Sequence, residues 1–409
     1  MRISLLQDRE PFGRIIERTL GAFWTERYGE AYQVRWVERR PAFHKGAGDA
    51  QKWNCNCYIN SIFTSDLEPR AFQPIRQEFA RSLVPWRRPL QRAYVSLAAN
   101  SHTAPWLSQA TMEVFPAVGE SQHQLIIPGN SKLRVLDHRS GRAWSVLKSG
   151  FRPQFMRREL ESRTLAIELG LPVPAILETD PNGAWFSEDY ISGTPTNRLM
   201  DVVEAKVIEK KALGYVSKLS LATAKDLLLS DYLFECTSEI GLLLQRNHLL
   251  SGTERERWAL LVARLAGAIE QRRDFSQRRV TTGLAHGDFQ PGNILVDRGA
   301  FWLIDWEYST RRQLGYDYLV MGLHARASKG LARRLAEFVA NGLGNGLFCD
   351  SICQGFQEQD SRFIGANLFL LEEILLHLEE NDNPQFFRLG TGLLCLMEEA
   401  QQWCIRLEV

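Results

Sequence analysis

The stretch LAHGDFQPGNILVDRGAFWLIDWE, Leu284 to Glu307, restricts what this chain can be more than any other part of it. His286, Gly287 and Asp288 come first; Asn293 follows five residues after Asp288, and Asp305 twelve residues after that, closing an apolar run. Ile294, Leu295 and Val296 form one short strand-like segment and Phe301 to Ile304 another, with the turn residues Asp297, Arg298 and Gly299 between them. That pattern reads as a hairpin. Closing it brings Asn293 and Asp305 to one end and leaves Asp288 on the loop just before. Two carboxylates and an amide so placed suit Mg2+, a hard cation that takes one or two carboxylates together with phosphate oxygens. The spacing therefore predicts Asn293 and Asp305 as metal ligands, and Asp288 as the group that orients or deprotonates an attacking hydroxyl. Taken singly, His286 and Asp288 would cap a turn and Asp305 would end a strand; taken together they make a phosphoryl-transfer pattern.

The rest of the composition narrows the class. A chain of 409 residues has room for two or three units with ample core. A formal net charge of +1 gives no global field for nucleic acid or an anionic membrane, so no nucleic-acid partner is expected. No apolar run reaches the roughly 18 residues of a spanning helix, and MRISLLQDRE breaks into charge too early for a signal peptide. Seven dispersed cysteines read as reduced thiols, and the expected location is the cytoplasm. Cys55 and Cys57, the one close pair, would share a face of a strand over Trp53–Phe63. Without a matching second pair they read as packing residues.

Along residues 1–121 the text is α+β. The spacing predicts a helix over Phe12–Tyr28, strands over Tyr32–Val37, Trp53–Phe63, Ala93–Ala98 and Thr111–Val118, and a short helix over Phe72–Ser82. His44, Lys45 and the basic run Arg81–Arg92 read as solvated surface. The texture changes near Gln122 to strand, loop, strand, turn, strand, and then a helix over about Gln154–Leu169 that Gly170 and two prolines end. Two short strands around a D-P-N-G turn follow. From Thr196 the text is mostly helical, with apolar residues at three- and four-residue spacing over Leu331–Gly342, Phe363–Glu380 and Gly392–Ile405.

H-G-D-x-x-x-x-N at His286–Asn293, followed by I-D-W-E at Ile304–Glu307, resembles the catalytic and metal loops of the aminoglycoside phosphotransferase/choline kinase superfamily, within the protein-kinase-like fold. Gly287 and Trp306 depart from the protein-kinase pattern H-R-D…D-F-G and favour a small-molecule kinase. The resemblance covers about residues 122–380. It implies an α+β chain with a bilobal protein-kinase-like fold: a small β-rich lobe with its hinge over 122–193 and a large helical lobe over 194–409, preceded by an additional α+β region at 1–121 of unknown role. It also implies upstream parts in fixed order. Lys148 would meet the α/β-phosphates. Val146, on the same strand face by the period-2 rule, would roof the adenine. Glu161 would pair with Lys148, with Glu159 as the rival. Ser131, in a short loop at Pro128–Ser131, would contact phosphate, and adenine would bond to backbone groups near Asp189 and Tyr190. Asp317 would brace the catalytic loop, a job that an N-cap at that position would also serve. His286 would hold the loop through hydrogen bonds.

The implied reaction is Mg2+-dependent transfer of the γ-phosphoryl group of ATP, with GTP as the alternative, to a hydroxyl of a small molecule or a sugar. For a polycationic acceptor the sequence offers Glu358, Asp360, Glu372, Glu373, Glu379, Glu380 and Asp382. For an anionic one it offers Arg311, Arg312, Arg326, Arg333 and Arg334. A protein or glycan kinase of the same fold is the second reading and a catalytically silent nucleotide-binding module the third. Oligomeric state is left open by the sequence.

Overall fold

The computed structural model describes residues 2–38, 50–79, 86–344, 352 and 355–407. His44, Lys45, the first part of the basic run, Cys349 and Cys353 lie outside the described residues. The chain divides into two compact units, one of Met1–Met156 with Pro174–Thr194, the other of Arg157–Val173 with Pro195–Val409.

The first unit is built on one nine-stranded sheet. Across the sheet the strands run Gln33–Glu38, Ala110–Phe115, Gln51–Asn56, Ser61–Thr64, Gln124–Pro128, Lys132–Asp137, Arg142–Leu147, Trp185–Asp189 and Ile176–Thr179. Ile62 pairs with Ile126, so the sheet continues without a break through residue 121, where the sequence suggested a separate region to end. Along the middle strands side chains alternate between two cores, as period-2 geometry requires. Ile126, Leu133, Val135, Trp144 and Val146 face one side, with Ile16, Leu20, Phe23 and Trp24 of the helix Phe12–Tyr28. Leu125, Leu136 and Ala143 face the other, with Phe63, Phe72, Ile75 and Val95. A sheet covered on both faces has nearly continuous buried strands, so these segments lack a clean apolar–polar alternation.

The helix Phe12–Tyr28 falls where periodicity put it, and Gly29 closes it in the left-handed conformation at φ 74°. Two expectations need correction. Trp53–Phe63 is not one strand but two, paired from Trp53↔Thr64 to Asn56↔Ser61. Cys57 therefore lies in the turn, where its thiol donates to Gln7 Oε1 at 3.5 Å, while Cys55 is fully buried in the core. Ala93–Ala98 is the end of a helix, Arg87–Ala98. Its β-branched and aromatic residues suit a strand locally, but Val95 and Ala98 are buried at a helical three-residue spacing, and packing overrides propensity.

The second unit is helical. The helix Gln359–Asn381 carries most of its length buried and packs in one core with Leu229–Arg246, Gly252–Glu270, Leu331–Asn341 and Thr391–Leu407. Ser251 opens Gly252–Glu270 with a reciprocal capping box to Glu254. A three-stranded sheet of Lys225–Leu228, Arg279–Ala285 and Thr310–Gln313 delivers the chain to His286. The hairpin of Ile294–Asp297 and Ala300–Leu303 follows. Arg298 and Gly299 both have positive φ (49° and 81°), the two-residue turn that matches strand twist. Among the described residues no helix is long and apolar enough to cross a membrane.

Candidate active site

The hairpin register places the metal candidates as the spacing requires. Ile294 pairs with Leu303, and the Ile304 amide donates to the Asn293 carbonyl at 3.1 Å. Asn293 and Asp305 thus sit at the open end of the hairpin, Asp305 with a left-handed φ of 66°. The Asn293 amide nitrogen donates to the Asp288 carbonyl oxygen and to Asp288 Oδ2, both at 2.8 Å. Its Nδ2 being spent on Asp288, Asn293 has its amide oxygen as the available ligand atom. An amide oxygen and one carboxylate are the hard donor set that Mg2+ accepts alongside phosphate and water, so the residues present fit that ion.

Asp288 is 7% exposed and held at both carboxylate oxygens. Oδ1 accepts from Arg326 Nε at 2.6 Å; Oδ2 accepts from Asn293 and from Gln290 Nε2 at 2.9 Å. An ionised carboxylate offers about four acceptor positions, and these bonds fill three. One acceptor position of the carboxylate is left over. Arg326 also donates to the Gly287 carbonyl at 2.8 Å and to Glu373 Oε2 at 2.5 Å, tying the loop to the buried helix Gln359–Asn381. Tyr316 donates its hydroxyl to the other oxygen of Glu373. Burial pushes the Glu373 carboxyl up, but the Arg326 charge, His377 and these hydrogen bonds outweigh it and leave it below the ordinary carboxylate range.

His286 is fully buried, and its ring holds the loop from inside. Nδ1 accepts from the Asp288 amide at 3.3 Å, which leaves Nε2 to donate to the Ile304 carbonyl at 3.0 Å. The ring lies 4.4 Å from that of Trp306, centroid to centroid. Asp317 accepts from the His286 and Gly287 amides at 2.7 and 3.0 Å. It does so from the first turn of the helix Tyr316–Gly322, whose N-cap is Gly315, so Asp317 is not a cap. Burial raises its pKa, against the pull of His286 and the two amides. Gly287 has φ 87°, and a Cβ there would stand 2.1 Å from the Tyr308 carbonyl oxygen. Gly287→Ala should therefore add about 1–3 kcal/mol of backbone strain before the clash is counted. A urea melt reads it; a midpoint within error of wild type would show that the loop has slack.

In the first unit the upstream candidates fare unevenly. Lys148 directly follows the strand Arg142–Leu147, and its side chain is fully buried. Nζ donates to Glu10 Oε1 at 2.6 Å and to the Asn130 carbonyl at 2.9 Å. Ser131 lies in the turn after Pro128, half-buried, and its carbonyl accepts from the Lys148 amide at 3.0 Å. Val146 is no open roof. Phe23 packs on Trp144 and Trp185, the residues beside and opposite Val146, and Val146 is core at 3% exposure. The amides of Asp189 and Tyr190 are likewise committed, to the Ala175 and Gly141 carbonyls at 3.0 and 2.8 Å, so neither is a donor for adenine. Burial pushes the Tyr190 hydroxyl up to about 12.

Glu161 is exposed, and the buried carboxylate of its helix is Glu159, at 1% exposure and 3.8 Å from Arg163. Leu165 and Leu169, four and eight residues after Glu161 and on its side of the helix, are only half-buried. The buried stripe runs Phe155, Met156, Glu159, Ser162, Arg163 and Ala166, and a stripe with three polar members is invisible to hydrophobic periodicity.

Most of the residues that would suit either acceptor are paired inside the second unit. Glu372 is buried among Tyr232, Arg312 and Gln313. Glu379 holds Arg158 by two bonds of 2.8 Å, and Asp382 and Asp360 take Arg246 and Arg278. Arg311 is spent on the Thr223 and Thr282 carbonyls, and Arg334 on Leu323.

The loop's identity is decided by a family model described as the phosphotransferase enzyme family, which matches residues 129–347, just over half of the chain. The chain belongs to that family. The phosphotransferase is thus a member of the superfamily that the H-G-D and I-D-W-E motifs resemble, and the matched span begins at Gly129, past the whole of residues 1–121. Among solved structures it is similar to a choline/ethanolamine kinase family protein from Mesorhizobium loti, at 16% identity and TM-score 0.42, covering 78% of this chain and 94% of that one. An ethanolamine kinase from Plasmodium vivax is 12% identical at TM-score 0.45, covering 81% and 94%. A choline kinase from Streptococcus pneumoniae is 15% identical at TM-score 0.41, covering 71% and 92%. The assignment rests on the family match, not on these distant likenesses. No curated protein matches the phosphotransferase.

Proposed function

We propose that the phosphotransferase moves the γ-phosphoryl group of ATP to a hydroxyl of a small molecule or sugar, with Asp288 receiving the hydroxyl proton. The observation that carries this is the Asp288 carboxylate, fixed at both oxygens beside Asn293 and left with one acceptor position. Asp288 aligns the acceptor O–H; the oxygen bonds the γ-phosphorus as the bond to the ADP oxygen breaks, and the proton passes to Asp288. The transition state is loose, so positioning outweighs proton abstraction. Asn293 and Asp305 would hold Mg2+, which neutralises charge on the phosphates. His286 and Asp317 fix the loop backbone, and Lys148 meets the nucleotide's phosphates. The acceptor is proposed only as a hydroxyl compound, since the acidic and basic residues that would have marked its charge are largely paired within the second unit.

The test is the melting temperature with Mg·ATP and Mg·GTP, for wild type and Asp305→Ala. Nucleotide at a hundredfold over Kd stabilises by about 2.7 kcal/mol, a rise of several degrees. A rise in wild type that Asp305→Ala loses is the expected result. No rise with either nucleotide would overturn nucleotide use altogether.

A further inference from the structure

Glu10 lies outside the family match and far from every motif, yet its carboxylate reaches a lysine 138 residues away. It stands at the corner between the helices Ile3–Arg9 and Phe12–Tyr28. The corner is fixed on both sides: the Glu10 amide donates to the Leu6 carbonyl at 2.9 Å, and its carbonyl accepts from the Phe12 amide at 2.7 Å. Ile3, Leu6 and Phe12 around it are core. The next residue after the lysine is tied to the same helix, the Ser149 amide donating to Thr19 Oγ1 at 2.9 Å. Glu10 and Lys148 side chains are both fully buried, and Glu10 Oε2 accepts no hydrogen bond.

Resting on the phosphate-binding role of Lys148 proposed above, we propose that Glu10 is a positioning residue. It fixes the Lys148 ammonium from the N-terminal helical corner, and the Asn130 carbonyl holds the place that a nucleotide phosphate takes. Glu10 belongs to a packed core corner, whereas Asn130 lies in the turn between strands. The turn is the partner that yields. The N-terminal region thereby acquires a function: it supplies a countercharge for the lysine from outside the segment that the family shares.

The test measures Mg·ATP and adenosine binding by calorimetry in wild type, Lys148→Ala and Glu10→Gln, with melting temperatures alongside. Glu10→Gln should weaken Mg·ATP roughly tenfold, the loss of one charge-assisted bond's positioning, and leave adenosine unchanged. A purely structural defect would weaken both. Unchanged Mg·ATP binding in Glu10→Gln, with binding lost in Lys148→Ala, overturns the Glu10 proposal alone. Tighter binding overturns it as well, because Glu10 would then compete with phosphate. Equal binding in wild type and Lys148→Ala overturns the underlying role of Lys148. Should Glu10→Gln not fold, carbodiimide labelling of the wild-type protein decides: Glu10 should stay unlabelled with and without saturating Mg·ATP, and labelling that appears on adding nucleotide overturns the proposal.

Discussion

Asp288→Asn should lower ATP hydrolysis, with water standing in for the acceptor hydroxyl, by about two to four orders of magnitude while Mg·ATP still binds. The substitution removes the proton acceptor and also sets an amide nitrogen against the donors that meet Oδ2, Gln290 Nε2 and Asn293 Nδ2. Gln290 can turn its amide to offer oxygen. Asn293 is less free, because the same nitrogen also donates to the Asp288 carbonyl. Gln290→Ala is the control, removing one Oδ2 donor without touching the carboxylate. Its effect should be within about tenfold, the scale of one hydrogen bond. Hydrolysis undiminished in Asp288→Asn would take Asp288 out of the chemistry.

Arg326→Met has the second largest expected effect, and on stability as well as rate. It leaves Asp288 and Glu373 inside the unit without their shared cation. Breaking a buried pair on one side costs about 3–5 kcal/mol. The Arg326 side chain keeps 21% exposure, so the lower end applies, about 3 kcal/mol, or several degrees in melting temperature. Adding Glu373→Gln should recover part of the stability, since one of the stranded charges is gone. It should not recover hydrolysis, since Asp288 has still lost its Oδ1 donor. A single variant that melts with wild type would mean that water replaces the guanidinium and that the arginine does not hold the loop.

Neither Arg326 nor Glu10 carries a motif, and the reason is separation along the chain. Arg326 reaches Asp288 across 38 residues and Glu373 across 47. In the sequence it is one of several arginines that would suit an anionic acceptor. One signal for its partner was present: Glu372 and Glu373 interrupt the apolar run LFLLEEILLHL, and a charge on a buried helix face demands a partner inside. Which cation answers that demand is set by packing. The same limit explains Glu159 and Glu161. Both lie on one helix, and the inward face is defined by a neighbouring surface that also accepts Ser162 and Arg163, not by the leucines alone.

What the sequence by itself determined is whatever depends on a few consecutive residues. The hairpin that joins Asn293 to Asp305 follows from two apolar segments and a turn with left-handed positions. The position of Asp288 follows from the loop length, and the helix Phe12–Tyr28 from its apolar spacing. Only the tertiary structure decided that residues 1–121 complete the same sheet as the strands after them, that Val146 is core and Tyr190 packs half-buried against the core on the other face, and that Lys148 meets Glu10. Backbone sterics and hydrogen bonds act over a few residues and leave a local pattern. Burial and charge pairing act between surfaces that meet only when the chain folds, and a buried ion pair 138 residues apart leaves none.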